Sequence, residues 1–362
     1  MSAEDTRFGS GWISGVVSAS LGILGFGAVA CLHYPELLTT PNLREVYPLG
    51  FIRGLIHVAL IIAFAFGVLS LILRRNKSLG GIGVTFTLLA ALWGGSSVAI
   101  DGHVSKSDHI GLDFFILDLF VLALVFVPLE RLYPKLGEQQ LFRREWLTDL
   151  AYFFSSHIMV QVLMLLTLAP AAFFFRWAID SPWQRAVASQ TGWLQFLEMI
   201  VVSDFTAYWI HRLFHIVPFL WKFHAIHHSS TSMDWLAGSR LHIIDIVITR
   251  ALAFAPLYAL GFSSQPLAAY LVFVSFHAVF IHANVRFRFG KWKWVVGTPQ
   301  FHHWHHSADA EGVDKNFAIH LPALDWLFGT MHLPEDRWPA AYGITGNPVP
   351  KGFTRQFTYP VR

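Results

Sequence analysis

Three groups of histidines have the spacing of metal ligands. Residues three or four apart lie on one face of a helix, so the side chains within each group point the same way. Neutral imidazole is a ligand for zinc, copper, iron and nickel. Eight imidazoles exceed what one ion can bind, so the spacing predicts two ions with about four ligands each. The groups are His211 and His215; His224, His227 and His228; and His302, His305 and His306.

The residues around these groups narrow the choice of metal. Carboxylates and thiolates are scarce there, which disfavours magnesium, calcium and iron–sulfur centres. Asp204 precedes His211 by seven residues, so it lies on the same helix face about 10 Å away along the axis. An acid within an apolar segment is a candidate partner for a ligand. Further carboxylates that could orient the imidazoles are Asp234, Asp245, Asp309, Asp314 and Asp325.

The composition is typical of a chain that crosses a membrane several times. Of 362 residues, 54% are hydrophobic and 14% are charged, against roughly 25% charged in a soluble domain. We therefore predict an all-α, polytopic membrane protein with a cytoplasmic, histidine-rich di-metal domain, and no nucleic-acid partner. Eight apolar segments approach the roughly 20 residues that cross a bilayer core; they are 12–32, 49–73, 79–100, 111–129, 150–175, 193–210, 243–260 and 265–281.

Clusters of Lys and Arg follow every second apolar segment. Under the positive-inside rule these loops lie in the cytoplasm, together with the N-terminus. The last two of these loops also carry the histidine groups, which are therefore predicted to be cytoplasmic. The predicted location is a bacterial inner membrane in preference to the endoplasmic reticulum. The basic clusters fall within 74–77, 131–144, 212–222 and 286–293.

Three regions are predicted along the chain. Residues 1–140 form an N-terminal transmembrane module of about four helices, in which Gly22, Gly25 and Gly27 indicate close helix packing. Residues 141–335 form the domain that carries the histidines. Residues 336–362 form an irregular tail rich in Pro and Gly. Lys and Trp alternate in 291–294, which indicates an anchor at the membrane surface.

The histidine groups and their neighbours resemble a known set of motifs. They are DFTAYWIHR with His215 following, KFHAIHHS around His224, and TPQFHHWHHS around His302. This pattern resembles the fatty acid hydroxylase/sterol desaturase superfamily of integral membrane di-metal oxygenases, over about 145–335. The closing signature matches 314–318 and 325–330. The chain departs from the family pattern at Ile243, where Pro is frequent, and at Ala318, where Gly is common.

The resemblance implies a di-iron centre that takes up two electrons, splits O2 and hydroxylates or desaturates a C–H position of a sterol or fatty acyl lipid. Zinc could occupy the site in a purified protein. The resemblance adds His242 and His282 to the ligands, and it places Asp204, Asp314 and Asn316 behind them. The implied metal ligands are His211, His215, His224, His227, His228, His242, His282, His302, His305 and His306.

The implied chemistry requires electrons from elsewhere. The chain has one cysteine, Cys31, and no haem-domain or flavin-domain signature. The resemblance therefore implies a separate electron donor, a ferredoxin or a cytochrome b5-like protein, which the basic cytoplasmic face could attract.

Three other functions are compatible with a histidine-rich membrane protein. A zinc-dependent lipid hydrolase would leave most of the imidazoles idle. A metal transporter would be expected to hold its ligands near the bilayer midplane. A metal-storage protein is a related alternative. A haem b carrier could use His57 and His157, but it would not explain the paired motifs. The sequence leaves hydroxylation and desaturation open, and also the identity of the lipid.

Overall fold

The described part of the chain is helical, as predicted. The computed structural model describes residues 10–40, 44, 48–100, 111–158, 173, 175–179 and 181–362. Within these ranges, β pairing is limited to two isolated bridges, Pro134 with Val285 and Ser307 with Tyr342. The helices are α1 (Trp12–His33), α2 (Pro35–Leu38), α3 (Leu49–Leu73), α4 (Ser78–Leu92), α5 (Leu112–Leu132), α6 (Trp146–Ile158), α7 (Pro182–Ala188), α8 (Gly192–Ile216), α9 (Pro218–His228), α10 (Ile243–Leu260), α11 (Ser264–His282), α12 (Pro299–His305), α13 (Ala323–Leu327) and α14 (Phe353–Phe357).

Among the residues that the structure describes, six helical segments are long and apolar enough to cross a membrane: α1, α3, α4 with the turn after it, α5, α10 and α11. The chain is accordingly an integral membrane protein. The predicted segment 150–175 lies largely outside the described residues. The predicted segment 193–210 belongs to α8, which is not among the six because polar residues interrupt it. The assignment of the histidines to the cytoplasm counted both segments as spans, so it stays a prediction.

The chain divides into two compact units, Met1–Val121 and Leu122–Arg362. This division falls within α5, whereas the sequence placed a boundary at residue 140. The predicted tail, 336–362, contains α14 and a short 3-10 turn at Tyr359–Val361. Val349 of the tail is buried against Ala225 and Ile226 of α9. The tail therefore packs against a helix that carries histidines.

In the second unit, α8 is the central helix. Near its start, Met199 packs with Leu257 of α10 and Tyr270 of α11. Near its end, Tyr208 packs with Phe301 and Trp304 of α12. Because α8 contacts the hairpin of α10 and α11 at one end and α12 at the other, it fixes the helices that bring in the histidines.

The hairpin between α10 and α11 turns at Gly261. This residue closes α10 with a left-handed backbone, φ 77°, which glycine adopts without steric cost. The turn returns the chain, so that the start of α10 and the end of α11 lie near the same histidines.

In the first unit, α1 packs closely against α4. A Cβ on Gly83 of α4 would lie 2.7 Å or less from Ser18 atoms of α1, including its backbone carbonyl carbon. A Cβ on Gly22 would lie 2.7 Å from the Gly83 carbonyl oxygen. Ser18 also donates a hydrogen bond to the Ala63 carbonyl of α3 at 2.6 Å. The absence of side chains on these glycines lets the helix backbones meet, as small residues do in membranes.

We expect Gly83→Ala to destabilise the protein by about 1–3 kcal/mol, because the added methyl group overpacks a backbone contact. Gly81→Ala is the matched control on the same helix, since a Cβ there has nothing within 4 Å. It should leave stability unchanged or raise it by about 0.5–1 kcal/mol. Thermal unfolding in one detergent compares the two; equal melting temperatures would contradict this packing.

Candidate metal centre

Four helices deliver the histidines to one region. His211 and His215 lie in the last two turns of α8, and His282 is the last residue of α11. The other two histidine groups lie on α9 and at the end of α12. Each of these short helices begins with proline, which suits the first turn because it needs no N–H donor there. Thr298 caps α12 by accepting a hydrogen bond from the Phe301 N–H at 3.2 Å.

The structure sorts nine imidazoles into two groups. One ring nitrogen of each residue lies within 4.8 Å of those of the other members of its group. Neighbours in sequence separate: His227 and His228 belong to different groups, as do His305 and His306. The five-histidine group is His211, His215, His224, His228 and His305; the four-histidine group is His227, His282, His302 and His306.

Oxygen acceptors fix the tautomer of six of these imidazoles. Their Nδ1 atoms lie against carbonyl or carboxylate oxygens, which can only accept, so each Nδ1 carries the proton. The Nε2 atom of the neutral ring is then left with a free lone pair. The contacts are His211 to the Phe317 carbonyl (2.7 Å), His305 to that of Lys315 (2.8 Å), His227 to that of Arg240 (3.2 Å), His282 to that of Ala278 (2.6 Å), His224 to Asp245 (2.7 Å) and His215 to Asp314 (3.1 Å).

These lone pairs face one another. The Nε2 atoms of His211 and His224 are 3.0 Å apart, and those of His227 and His282 are 3.2 Å apart. Since neither member of either pair has a proton to donate, a shared cation is the partner that would stabilise them. The Nε2 atoms of His215 and His305 are also buried without a hydrogen-bond partner in the described structure. The donor set therefore fits two metal ions that bind imidazole.

Burial favours the neutral form of five of these imidazoles. It lowers the pKa of His227, His228, His302, His305 and His306 well below the usual range, and the adjacent imidazoles lower it further. The reason is that a charged ring loses its water and meets other rings that compete for protons. Neutral imidazole is the form that binds metal, so no proton has to leave at neutral pH.

His242 lies outside both groups. Its Nδ1 accepts a hydrogen bond from the Ile244 N–H at 3.1 Å, which caps α10, and its Nε2 donates to the Phe357 carbonyl at 3.1 Å. Both ring nitrogens are thus occupied by the backbone. The structure brings together nine of the ten implied ligands, and it gives His242 a capping position instead.

Asp314 and Asp245 contact ligands directly. The Asp314 carboxylate is bonded to His215 and its side chain is 63% exposed. The Asp245 carboxylate is bonded to His224 and its side chain is only 5% exposed. Both were among the carboxylates named from the sequence as able to orient the imidazoles, and the resemblance singled out Asp314. The sequence signal for Asp245 was an acid at the start of an apolar helix.

Asp204 and Asn316 support the site through the backbone. Asp204 accepts hydrogen bonds from the N–H groups of Ile319, His320 and Leu321 at 2.7–3.1 Å. It thereby holds the segment whose Phe317 carbonyl orients His211. Asn316 has a left-handed backbone, φ 59°, and bonds to the carbonyls of Phe301 and His332, at 2.9 and 2.7 Å respectively. Neither residue contacts an imidazole nitrogen of the two groups through its side chain.

A buried ion-pair network behind His227 was not predicted. Arg143 contacts Asp149 and Asp234, each at 2.6 Å. Arg240 contacts Asp149 and also Glu145, the latter at 3.2 Å. The Arg240 carbonyl accepts the His227 Nδ1–H, so the network fixes one ligand. Its sequence signal is weak, because the charges lie about 90 residues apart.

His303 lies beside the ligands, within neither group. Burial and the nearby Lys135 cation lower its pKa to about 3. Its Nε2 donates to the His282 carbonyl at 3.2 Å, and its Nδ1 accepts from the Tyr342 hydroxyl at 2.7 Å. The His303 ring is therefore held beside His282 and His302 by its hydrogen bonds to the His282 carbonyl and the Tyr342 hydroxyl.

The part of the chain that carries the histidine groups is similar to known proteins. Residues 196–330 match the model of the fatty acid hydroxylase family; these residues contain all nine grouped histidines. The resemblance carried by the histidine motifs is thereby confirmed. No solved structure matches the chain.

Three relatives illustrate the similarity. The ornithine lipid hydroxylase OlsE of Rhizobium tropici is 37% identical over 164 residues, 44% of this chain and 48% of the relative. Alkylglycerol monooxygenase of Homo sapiens is 31% identical over 46% of this chain and 34% of the relative. Methylsterol monooxygenase 1-1 of Arabidopsis thaliana is 23% identical over 69% of this chain and 85% of the relative. The matches to the first two thus cover about half or less of those proteins.

We expect His227→Ala to lose the ion of the four-histidine group and His305→Ala that of the five-histidine group. Elemental analysis should find about two ions per chain in the unmodified protein and about one or fewer in each variant. His242→Ala is the control and should keep both ions, because its ring nitrogens bond to the backbone. Loss of metal from His242→Ala equal to that from His227→Ala would contradict the two groups.

Asp245→Asn and Asp314→Asn should weaken metal retention unequally. Loss of a carboxylate behind a ligand typically lowers metal affinity by about 10–100-fold. We expect a loss in that range at the buried Asp245 and a clearly smaller one at Asp314, where water can replace the exposed carboxylate. Competition with a chelator measures the metal affinity of both variants. Equal losses of affinity would show that burial of the carboxylate does not decide its contribution.

Proposed function

We propose that the protein is an O2-dependent, di-iron oxidoreductase that hydroxylates a membrane lipid at an unactivated C–H position, because residues 196–330 match the fatty acid hydroxylase family. The observation that carries this proposal is the pair of neutral imidazole groups with inward lone pairs. Nine nitrogen donors and no thiolate suit a redox-active metal such as iron. The relatives named above are lipid hydroxylases and monooxygenases, which favours hydroxylation over desaturation.

The nine grouped histidines would hold the two irons. Bound iron supplies the redox chemistry that activates O2 with two electrons. The protein supplies the rest: carbonyls and carboxylates hold the Nδ1 protons of six imidazoles away from the centre, and burial excludes water from the ligand nitrogens. Asp245 and Asp314 orient His224 and His215, and Asp204 fixes the backbone that orients His211. The same carboxylates and Asn316 leave the imidazoles rigid while substrate binds.

The lipid would approach from the membrane. The apolar helices α10 and α11 present exposed side chains, among them Leu252, Leu271 and Val272. Asp245 in the first turn of α10 and His282 at the end of α11 place the imidazole groups at helix ends. A lipid lying along this hairpin would therefore bring one section of its chain to the metal centre. A sterol, a fatty acyl chain or an ether-linked chain fits this route.

The electron donor would be a separate protein, a ferredoxin or a cytochrome b5-like protein. The one cysteine, Cys31, is buried in the first unit and cannot hold an iron–sulfur cluster by itself. The centre would face the cytoplasm of a bacterial inner membrane, in keeping with the basic clusters in the adjacent loops.

We expect the iron-loaded, full-length protein to transfer one oxygen atom from labelled O2 into a lipid when a reductant is present. The balance is one C–H bond, one O2, two electrons and two protons giving a hydroxyl group and water. Mass spectrometry of lipids incubated with 18O2 detects the product, and His305→Ala should abolish it. A product lighter by two hydrogens without the label would identify a desaturase. O2-independent lipid cleavage by the zinc-loaded protein would identify a hydrolase and refute the proposal.

A further inference from the structure

A buried chain of hydrogen bonds leads from the four-histidine group toward the surface. His303 donates to the carbonyl of the ligand His282 and accepts from the Tyr342 hydroxyl. The Tyr342 oxygen in turn accepts from the Lys135 ammonium at 2.6 Å. Every donor in this chain has an acceptor, so its direction is fixed from Lys135 inward. None of these three residues belongs to either histidine group.

Aromatic rings accompany these hydrogen bonds. The ring centroids of His303 and Tyr342 are 5.3 Å apart, and those of His303 and Trp338 are 5.2 Å apart. The Lys135 ammonium lies 4.7 Å from the centroid of Tyr342 and 5.4 Å from that of Trp338. Tyr342 is buried, whereas Lys135 and Trp338 are half-buried. The contacts therefore run without a gap from the ligand shell to residues that reach solvent.

The outer end of this path opens on a basic strip, which consists of Arg131, Lys135, Arg286 and Arg288. Two backbone hydrogen bonds join the two segments that carry the strip. Lys135 N–H donates to the Asn284 carbonyl, and Arg286 N–H donates to the Tyr133 carbonyl. The three arginines are exposed. The strip follows the ends of α5 and α11, two helices apolar enough to cross a membrane. It therefore lies where the chain leaves the bilayer, within reach of a protein in the water phase.

We propose that the basic strip docks a small acidic one-electron carrier protein, and that Tyr342, Trp338 and His303 form the route by which its electrons reach the four-histidine group. This inference rests on the proposed function. Each transfer oxidises the iron–sulfur cluster or haem of the carrier by one electron and reduces the bound metal centre by one. Two transfers supply the two electrons that hydroxylation consumes.

Charge and contact both favour this partner. Four cations on one surface attract an acidic protein and raise its association rate, with a strong dependence on salt. The rate of electron transfer falls steeply with the distance across gaps between groups. Here the hydrogen bonds and the packed aromatic rings leave no such gap. The neighbouring segment 290–296 also carries two lysines, but its exposed Trp292 and Trp294 suit the membrane surface instead. That segment provides a control of equal charge.

The docking step can be tested by binding alone. An acidic plant-type ferredoxin serves as the probe, with the full-length protein in detergent. We expect Arg286→Ser/Arg288→Ser to weaken binding by roughly tenfold at low salt, since charges at a contact set association. Lys291→Ser/Lys293→Ser removes the same charge and should bind as the unmodified protein does. No binding by the unmodified protein, binding insensitive to salt, or equal loss in both double variants would overturn the docking surface.

The route can be tested by reduction kinetics of the metal-loaded protein. In Tyr342→Leu we expect reduction by the ferredoxin to slow by at least about tenfold, while reduction by dithionite stays unchanged. Trp338→Leu, at a half-buried position, provides a second variant if Tyr342→Leu does not fold. Unchanged rates with the ferredoxin in a folded, metal-loaded variant would overturn the route.

Failure of this inference is distinguishable from failure of the proposed function. If only the inference fails, the unmodified protein still hydroxylates lipid with dithionite and O2, and the strip and route variants accept ferredoxin electrons at the normal rate. If the proposed function fails, no O2-dependent product forms with either reductant.

Discussion

The second unit depends on a single constraint: unprotonated imidazole nitrogens must be held facing one another in a buried space. Burying a polar group without a partner is costly, and here several such groups converge. The pairs His211–His224 and His227–His282 place lone pair against lone pair at 3.0 and 3.2 Å. A cation held between them would replace this repulsion by coordination. Oxygen acceptors at the Nδ1 atoms of these four rings hold their orientation, and apolar packing joins α8 to α12.

The surrounding polar network follows from that constraint. Each oriented ring needs an oxygen behind its Nδ1, and the oxygens need fixed backbones. Asp325 accepts from the Phe317 and Ala318 N–H groups, both at 2.8 Å, and Asp204 accepts from the next three. On the other side, Arg240 is held by its ion pairs while its carbonyl meets His227. Buried charges far from the rings are thus explained by the ligand orientation that they secure.

The sequence predicted which histidines come together better than it predicted how they divide into two groups. Helix spacing identified the three motifs, and the resemblance supplied His282. The division into five and four was not predictable, because spacing assigns residues to one face only roughly. His227 and His228 differ by about 100° around α9, which is enough to send them to different groups. His242 was included among the implied ligands, whereas its partner in the structure is the Phe357 carbonyl, 115 residues away. No local sequence pattern reveals that contact. The membrane helices were predictable from apolar length, whereas α8 combined apolar and buried polar faces that only tertiary packing distinguishes.

We propose that the nine grouped imidazoles hold two metal ions through nitrogen alone. X-ray absorption spectroscopy of the purified full-length protein, normalised to metal per chain, tests it most directly. We expect about two ions per chain, each with a first coordination shell dominated by imidazole nitrogen. A single ion per chain, or a shell dominated by carboxylate oxygen or by sulfur, would contradict it.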